Sequence, residues 1–436
     1  MARILFVDKN DYKDKLGIYY LTAVLKEAGH RVDYCEVSRD NIKKYFKKEV
    51  DFVFYSIMSS EYQWFKKYNR QLKRSFNFKT VVGGIHFTIC PESGVNDRDV
   101  DFVVQGPGEI AALDIVNGKT TGKLVKGTIP DINSLPRPDR SIVYKYKEFS
   151  NASLKRFIAS RDCPYNCSYC HNHVVHKLMH KQKDKFNQRL IPDKLIDDVI
   201  DVRDKYGIRM AVFNDDDFAL DAQWVEAFCR QWVKRKVGVP FACYLNAYTA
   251  SDGLLKLLAK SGLSLASIGI ETANKTIREK ILTRPKVTNE RIECVIRKCM
   301  ELGVRVKTLN MIGLPIDNSL EEALETLIFN QKLTPTSSSC CILEPFPNTD
   351  IYGYCKSKGF LKKHASYVDV RDKTILQIKD AEKINRLCKW WIIFVAKKIS
   401  IDWINLILEI PLTKDISKKM LALSNRYLGK LYESSL

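Results

Sequence analysis

Apolar stretches of strand length alternate with stretches of helical periodicity along most of this chain. Residues 2–8 read as a first strand. Gly17 to Ala28 reads as a helix with Ile18, Leu21, Thr22 and Leu25 on one face, and Arg31–Cys35 as a second strand. Further strands are predicted at 51–56, 80–84 and 100–104. Short apolar strands with helices between them specify a parallel sheet covered on both faces. Such sheets take ligands at the carboxyl ends of their strands. Here those ends carry Asp8, Ser56 with Ser59 and Ser60, Gly83 with Gly84, and Gln105 with Gly106.

The alternation pauses at Ile129–Arg140, where three prolines forbid helix and favour an extended crossover. It then resumes. Strands are predicted at 157–160, 210–214, 241–246, 265–271, 304–311 and 338–344, with helices at 193–205, 221–236, 251–260, 289–302 and 320–332. Six strand–helix units imply a partial TIM-like (β/α)6 barrel, whose chemistry sits at the carboxyl ends of its strands. The expected layout is α/β throughout: a Rossmann-like parallel-sheet domain over 1–135, a Pro-rich linker over 136–155, the barrel over 156–355, and a helical C-terminal extension over 356–436.

Composition narrows the class. The chain has 436 residues, 45% hydrophobic and 28% charged, which suits a folded protein of more than one domain. Its net charge of +20 favours acidic partners such as nucleic acid, anionic lipid heads or phosphate-bearing ligands. The lysines are spread along the whole chain, which is equally what a Lys-rich proteome produces. The 13 cysteines are odd in number and mostly scattered, so they suggest a reducing interior and not a disulfide scaffold. No run approaches the ~18 apolar residues of a spanning helix. The expected location is cytoplasmic. In the extension, the runs 390–395 and 403–408 pair bulky apolar faces with flanking lysines. That pattern suits either packing on the barrel or peripheral membrane contact, the latter fitting a lipid-like substrate.

The densest chemistry is Arg161-Asp162-Cys163-Pro164-Tyr165-Asn166-Cys167-Ser168-Tyr169-Cys170, a Cys-x3-Cys-x2-Cys triplet in one loop. Three thiolates this close can hold three irons of a [4Fe–4S] cluster and leave the fourth without a protein ligand. Zinc is the alternative, with His171, His173 or His176 completing a Cys/His set. Preceded by Ile158-Ala159-Ser160, and with aromatic Tyr169 before its third cysteine, the loop resembles the cluster loop of the radical S-adenosylmethionine (SAM) superfamily. The resemblance implies that Cys163, Cys167 and Cys170 hold a [4Fe–4S] cluster. SAM would chelate the open iron and be cleaved reductively to a 5′-deoxyadenosyl radical.

The same resemblance assigns the SAM contacts. Tyr169 lies in the loop, and Asp215 and Asp216 stand where the family receives the methionyl ammonium; one of the carboxylates in Asp215-Asp216-Asp217 could instead cap the helix starting near Asp221. Asn246 and Glu271 end the third and fourth barrel strands. Glu271 resembles the family acid near the SAM ribose, the alternative being a buried pair with Arg284 or Arg278. Met311 and Gly313 fall in the turn that meets adenine. The runs Val81–Glu92 and Val103–Glu109 look like the cobalamin-binding domain that precedes many radical SAM domains. That likeness implies a corrinoid held by Asp8, Ser56, Ser59, Gly83, Gly84, His86 and Gly106. The chain departs from the Asp-x-His-x-x-Gly pattern that supplies a cobalt ligand in methionine synthase-type domains, for Asp14 stands where the His would be. His86 is the obvious substitute, against a structural role in a Gly turn.

The function implied is a cobalamin-dependent radical SAM enzyme, a methyltransferase acting on an unactivated carbon of a small-molecule or lipid-like substrate. An external one-electron donor such as a flavodoxin or ferredoxin would serve it. The alternatives are a radical cyclase, rearrangement or other hydrogen-abstraction enzyme, an RNA-modifying radical SAM enzyme, and a zinc-stabilised binding protein without turnover. Only Cys35 and Cys90 precede the barrel, which argues against the RNA-modifying type and against a nucleic-acid partner. The pair Cys340-Cys341 reads as small core residues in preference to a second cluster.

Overall fold

The computed structural model describes residues 1–9, 14–161, 163–361 and 373–411, together with Ile416, Lys419 and Ala422. Of the stretch 12–17 that replaces the His-bearing motif, residues 12 and 13 lie outside the described residues, as does most of the tail beyond 411. The chain divides into two compact units. One comprises 1–162 with 171–208, and the other 163–170 with 209–436.

In the first unit, β1 (Arg3–Asp8), β2 (Arg31–Glu36), β3 (Phe52–Ser56), β4 (Lys79–Gly83), β5 (Phe102–Gln105) and β6 (Leu124–Lys126) form one parallel sheet in the order β2-β1-β3-β4-β5-β6. The strands are near-continuous apolar runs because both faces are covered. Leu5, Val7, Val53, Tyr55, Val82 and Val103 are buried with Phe65 of the helix Tyr62–Ser75 and with Phe87. β6 has only three residues, mostly exposed, and carries too little apolar signal to be read from sequence. β7 (Leu154–Phe157) also falls in this unit and begins three residues before the strand expected at 157–160. The expected continuation pairs elsewhere: the Leu190 amide donates to the Ala159 carbonyl (2.7 Å) and the Arg161 amide to that of Gln188 (3.1 Å).

The second unit holds β8 (Met210–Phe213), β9 (Phe241–Leu245), β10 (Leu263–Glu271), β11 (Arg305–Ile312) and β12 (Ser337–Ile342), parallel and in the order β12-β11-β10-β9-β8. This is the half-barrel. Its helices begin where the sequence places caps: the Asp221, Ser251 and Thr288 side chains accept from the backbone amides of Trp224, Leu254 and Arg291. Asp221 itself is therefore the cap, and the 215–217 triplet is left for other work.

The helix Ala381–Ala396 packs against β12 and the helix Ser319–Leu333. Trp391, 1% exposed, lies among Ile312, Leu327, Ile342, Leu387 and Phe394, and its indole donates to the Ser338 hydroxyl at 2.8 Å. Of the two roles open to the extension, this helix takes packing. The next helix, Ile401–Glu409, buries Ile404 and Leu408 but exposes Trp403 and Leu406, with Ile410 just beyond its end. No described helix is long and apolar enough to cross a membrane. Cys340 is buried 3.7 Å from the Cys388 sulfur, while Cys341 faces out.

Candidate functional site

The three loop cysteines belong to the second unit and are all half-buried. Burial pushes the Cys163 thiol up to about 12, with Asp216, Cys170 and Cys167 adding to the rise, so the thiols lie within one another's field. No three described side chains converge tightly enough to be a metal site on geometry alone. The donor set nevertheless fits a cluster with one open corner: three soft sulfurs on one loop.

That loop is latched. The Ser168 hydroxyl donates to the Ile281 carbonyl (2.5 Å) and its amide to that of Leu282 (3.2 Å). The Ile351 amide donates to the Ser168 carbonyl (3.0 Å), and the Thr283 hydroxyl to the Asn166 carbonyl (2.7 Å). Tyr169 packs against the buried cluster that includes Ile277, Leu282 and Leu314, as does Met311. The Tyr169 ring lies in the same electrostatic neighbourhood as Glu271, Arg284 and the Cys167 thiol.

Glu271 ends β10 at a bulge, where the register against β11 shifts between Gly269 and Glu271. Its φ of 64° puts a long side chain in the left-handed region, which is costly for a non-glycine residue. Its carboxylate lies 3.1 Å from the Arg284 guanidinium, so the Arg284 pairing is realised; Arg278 is committed to the Val287 and Ala273 carbonyls instead. Burial raises the Glu271 pKa against the pull of Arg284 and Tyr169. Arg284 is held above its usual range, since Tyr169, Glu271 and Cys167 outweigh the cost of burial. A fixed cation thus stands beside one of the three sulfurs. A Cβ on Gly269 would come within 2.8 Å of the Glu271 carboxylate, so a side chain there would displace that carboxylate from its place beside Arg284.

The carboxylates after β8 divide their roles. Asp217 is buried and accepts from the Thr249 hydroxyl (2.9 Å) and the Ala219 amide (3.2 Å), which makes it a turn-builder. Asp215 is buried, and Asp216 is exposed beside Cys163. The Asn246 side chain accepts from the Tyr248 amide at 3.1 Å. Met311 is half-buried; Gly313 has φ 70° and is enclosed by Ile342 and Ile384.

At the carboxyl edge of the first sheet, Asp8 is buried, bonded by the Lys15 ammonium and by the Tyr34 hydroxyl (2.7 Å). Lys15 also donates to Glu61 at 2.9 Å. Burial disfavours the Lys15 charge, yet Asp8 and Glu61 outweigh it and hold the ammonium above the usual lysine range. Sequence reasoning missed Lys15 and Glu61; nothing in their local pattern announces a three-way pair. Ser56 ends β3 half-buried, and Ser59 is buried with its hydroxyl 3.2 Å from the His86 Nδ1. The His86 Nε2 lies 3.1 Å from the Ser93 hydroxyl and its ring stacks on Tyr62, so both nitrogens are engaged and the imidazole acts as a wedge. Gly84 is required by the protein's own backbone: with φ 86°, a Cβ there would meet the Ile57 amide nitrogen at 2.6 Å. Gly83 and Gly106 keep the ends of β4 and β5 small, Gly106 lying against Met179. The edge fits a flat ligand through small strand-end residues, and the sheet brings no uncommitted imidazole to it among those described.

The B12 binding domain family matches residues 8–116 and the Radical SAM superfamily residues 157–327. The chain is a B12-binding radical SAM family member. It is 23% identical over 307 residues to an uncharacterised methyltransferase of Pyrococcus horikoshii, covering 65% of this chain and 64% of that one. It is 22% identical over 344 residues to the cytidylyl-2-hydroxyethylphosphonate methyltransferase of Streptomyces wedmorensis, covering 66% and 62%. The chain thus spans a little under two thirds of the length of these relatives. Its fold is that of the radical S-adenosylmethionine methyltransferase TsrM from Kitasatospora setae, solved with cobalamin and a [4Fe–4S] cluster (TM-score 0.67, 17% identity, 82% of this chain and 78% of that one). The sequence resemblance to this family is thereby borne out.

Proposed function

We propose that this B12-binding radical SAM family member is a cobalamin-dependent methyltransferase acting on an unactivated carbon of a small molecule. The observation that carries the reading is the latched loop, which presents Cys163, Cys167 and Cys170 beside the Glu271–Arg284 pair. Cys163, Cys167 and Cys170 would hold a [4Fe–4S] cluster, which would supply the electron for SAM cleavage, and the first sheet's edge would hold a corrinoid, which would supply the methyl group.

The chain's own residues have separable tasks. Ser168 and Thr283 fix the loop, and Arg284 holds a positive charge beside Cys167. Glu271 offers an acceptor for a ribose hydroxyl, Asp216 one for the methionyl ammonium, and Asn246 a polar contact at the end of β9. Met311 and Gly313 line the turn assigned to adenine, and buried Asp215 backs that carboxylate row. Ser56, Ser59, Gly83, Gly84 and Gly106 shape the corrinoid edge, with Asp8 and His86 supporting it from within the protein. An external one-electron donor of the flavodoxin or ferredoxin type completes the system. The exposed Trp403, Leu406 and Ile410 support peripheral contact with a membrane, in keeping with a lipid-like substrate.

The test is anaerobic purification with cobalamin, cluster reconstitution, and incubation with SAM labelled in its methyl group. Iron and sulfide near four per chain, a corrinoid spectrum and 5′-deoxyadenosine support the reading. Zinc without SAM cleavage refutes it. Cleavage without label transfer to any substrate from neighbouring-gene metabolites favours hydrogen abstraction without methylation.

A further inference from the structure

Three buried side chains outside the assigned contacts converge behind Glu271. The Thr272 hydroxyl donates to one carboxylate oxygen of Glu322, and the Thr326 hydroxyl donates to that same oxygen at 2.9 Å. The Ala273 amide donates to the Thr326 hydroxyl (2.9 Å) and the Asn274 amide to the Thr272 hydroxyl (3.0 Å). Thr272 and Thr326 are wholly buried and Glu322 nearly so. Its second oxygen is buried without a partner. A half-satisfied carboxyl in a core is poor design for stability alone, since an apolar side chain would fill the space without the desolvation cost.

What the clamp holds explains its presence. The Thr272 amide donates back to the Ile270 carbonyl at 3.0 Å, closing a three-residue turn centred on Glu271 with its positive φ. That is the disfavoured hand of such a turn, and a conformation of this kind persists only where its surroundings over-determine it. The same bonds fix Asn274, whose side chain accepts from the Ile277 amide (3.1 Å) and starts the helix Lys275–Lys280. Directly after that helix come Ile281, Leu282 and Thr283, which latch the cysteine loop, and then Arg284.

We propose that Glu322, with Thr272 and Thr326, is a positioning device that holds Glu271 in its left-handed turn and thereby sets the SAM contact and the segment that latches the cysteine loop. Glu322 touches neither sulfur nor ligand; it acts through Thr272. The inference rests on the reading of Glu271 as a SAM contact.

The test compares wild type, T272V, E322A and E322Q, each reconstituted anaerobically. SAM affinity is read by calorimetry, and the reduced-cluster electron paramagnetic resonance spectrum is recorded with and without SAM. T272V removes the hydroxyl and keeps the volume; E322Q keeps the accepting oxygen. The expected result is SAM binding weakened at least about tenfold in T272V and E322A, with E322Q within about threefold of wild type and iron content unchanged. A SAM-induced spectral change that is lost with the clamp accompanies it. If E322A does not fold, T272V carries the comparison. Wild type that holds a cluster but binds no SAM brings down the functional reading and this inference with it. Wild type that binds SAM while T272V binds equally well brings down the inference alone.

Discussion

Replacing Trp391 tests whether the helix Ala381–Ala396 belongs to the half-barrel. The indole is 1% exposed, packed among Ile312, Leu327, Ile342 and Phe394, and donates to the Ser338 hydroxyl. Ser338 keeps partners in Asn330 and Asn310, so the lost hydrogen bond costs only about 1 kcal/mol. The cavity term dominates, and Trp→Ala in a core costs about 3–5 kcal/mol. W391A is therefore expected to destabilise the second unit by roughly 4 kcal/mol, and W391F by less than half of that. Trp403, 62% exposed on the following helix, is the control, with W403A expected within about 0.5 kcal/mol of wild type. Denaturant titration followed by circular dichroism reads all three. Two compact units need not unfold together, so the transition that moves with W391A identifies the unit to which the helix belongs. A W391A midpoint equal to wild type would refute the packing argument and return this helix to the role of a surface anchor.

Three further outcomes are expected. C163A, C167A and C170A each lose the iron and sulfide retained by wild type, whereas C341A, at an exposed position, retains both; colorimetric iron and sulfide assays decide it. Burial lowers His86 from 6.5 to about 4, so the folded state binds the proton less readily than the unfolded state. Its contribution is complete above pH 6.5 and is lost as pH falls towards 4. The shift is worth roughly 3 kcal/mol. A native-like H86Q, measured between pH 7 and 4, flattens that part of the stability profile. K15M strands Asp8 and Glu61 as buried, unpaired acids at a cost of about 3–5 kcal/mol, and adding D8N recovers part of it; additivity in this double-mutant cycle would count against a coupled triad.

Much of the fold was legible because it rests on continuous apolar runs. β8, buried at every position, reads as a strand from Met210–Phe213 alone, and the helix caps at Ser251 and Thr288 are local chemistry. β6 was not legible, for three mostly exposed residues bring no periodicity. The start of β7 was misplaced because Ile158 and Ala159 are as apolar as the true strand, and only the distant bonds at Gln188 and Leu190 show where that segment pairs. The cysteine loop was the most legible part of the site. Its residues are adjacent in sequence, so spacing shows a three-thiolate metal loop, and the family resemblance implies which metal group it holds.

The Glu271–Arg284 pair was open in the sequence as the alternative to a ligand contact. What stayed hidden is partnered across long stretches of chain: Thr272 meets Glu322 across 50 residues, and Lys15 meets Glu61 across 46. Glycine misleads in the same way. Gly84 invites a ligand when read from sequence, yet the close approach that it permits is to the backbone of Ile57. A residue type states what a position can do, whereas its partners decide what remains for a ligand. At the first sheet's edge Asp8 and His86 are already committed, so any affinity for a corrinoid there must come from backbone, small side chains and shape. At the half-barrel the three sulfurs, Asp216 and the Glu271–Arg284 pair bring polar and charged groups to one region, where reacting groups would be held.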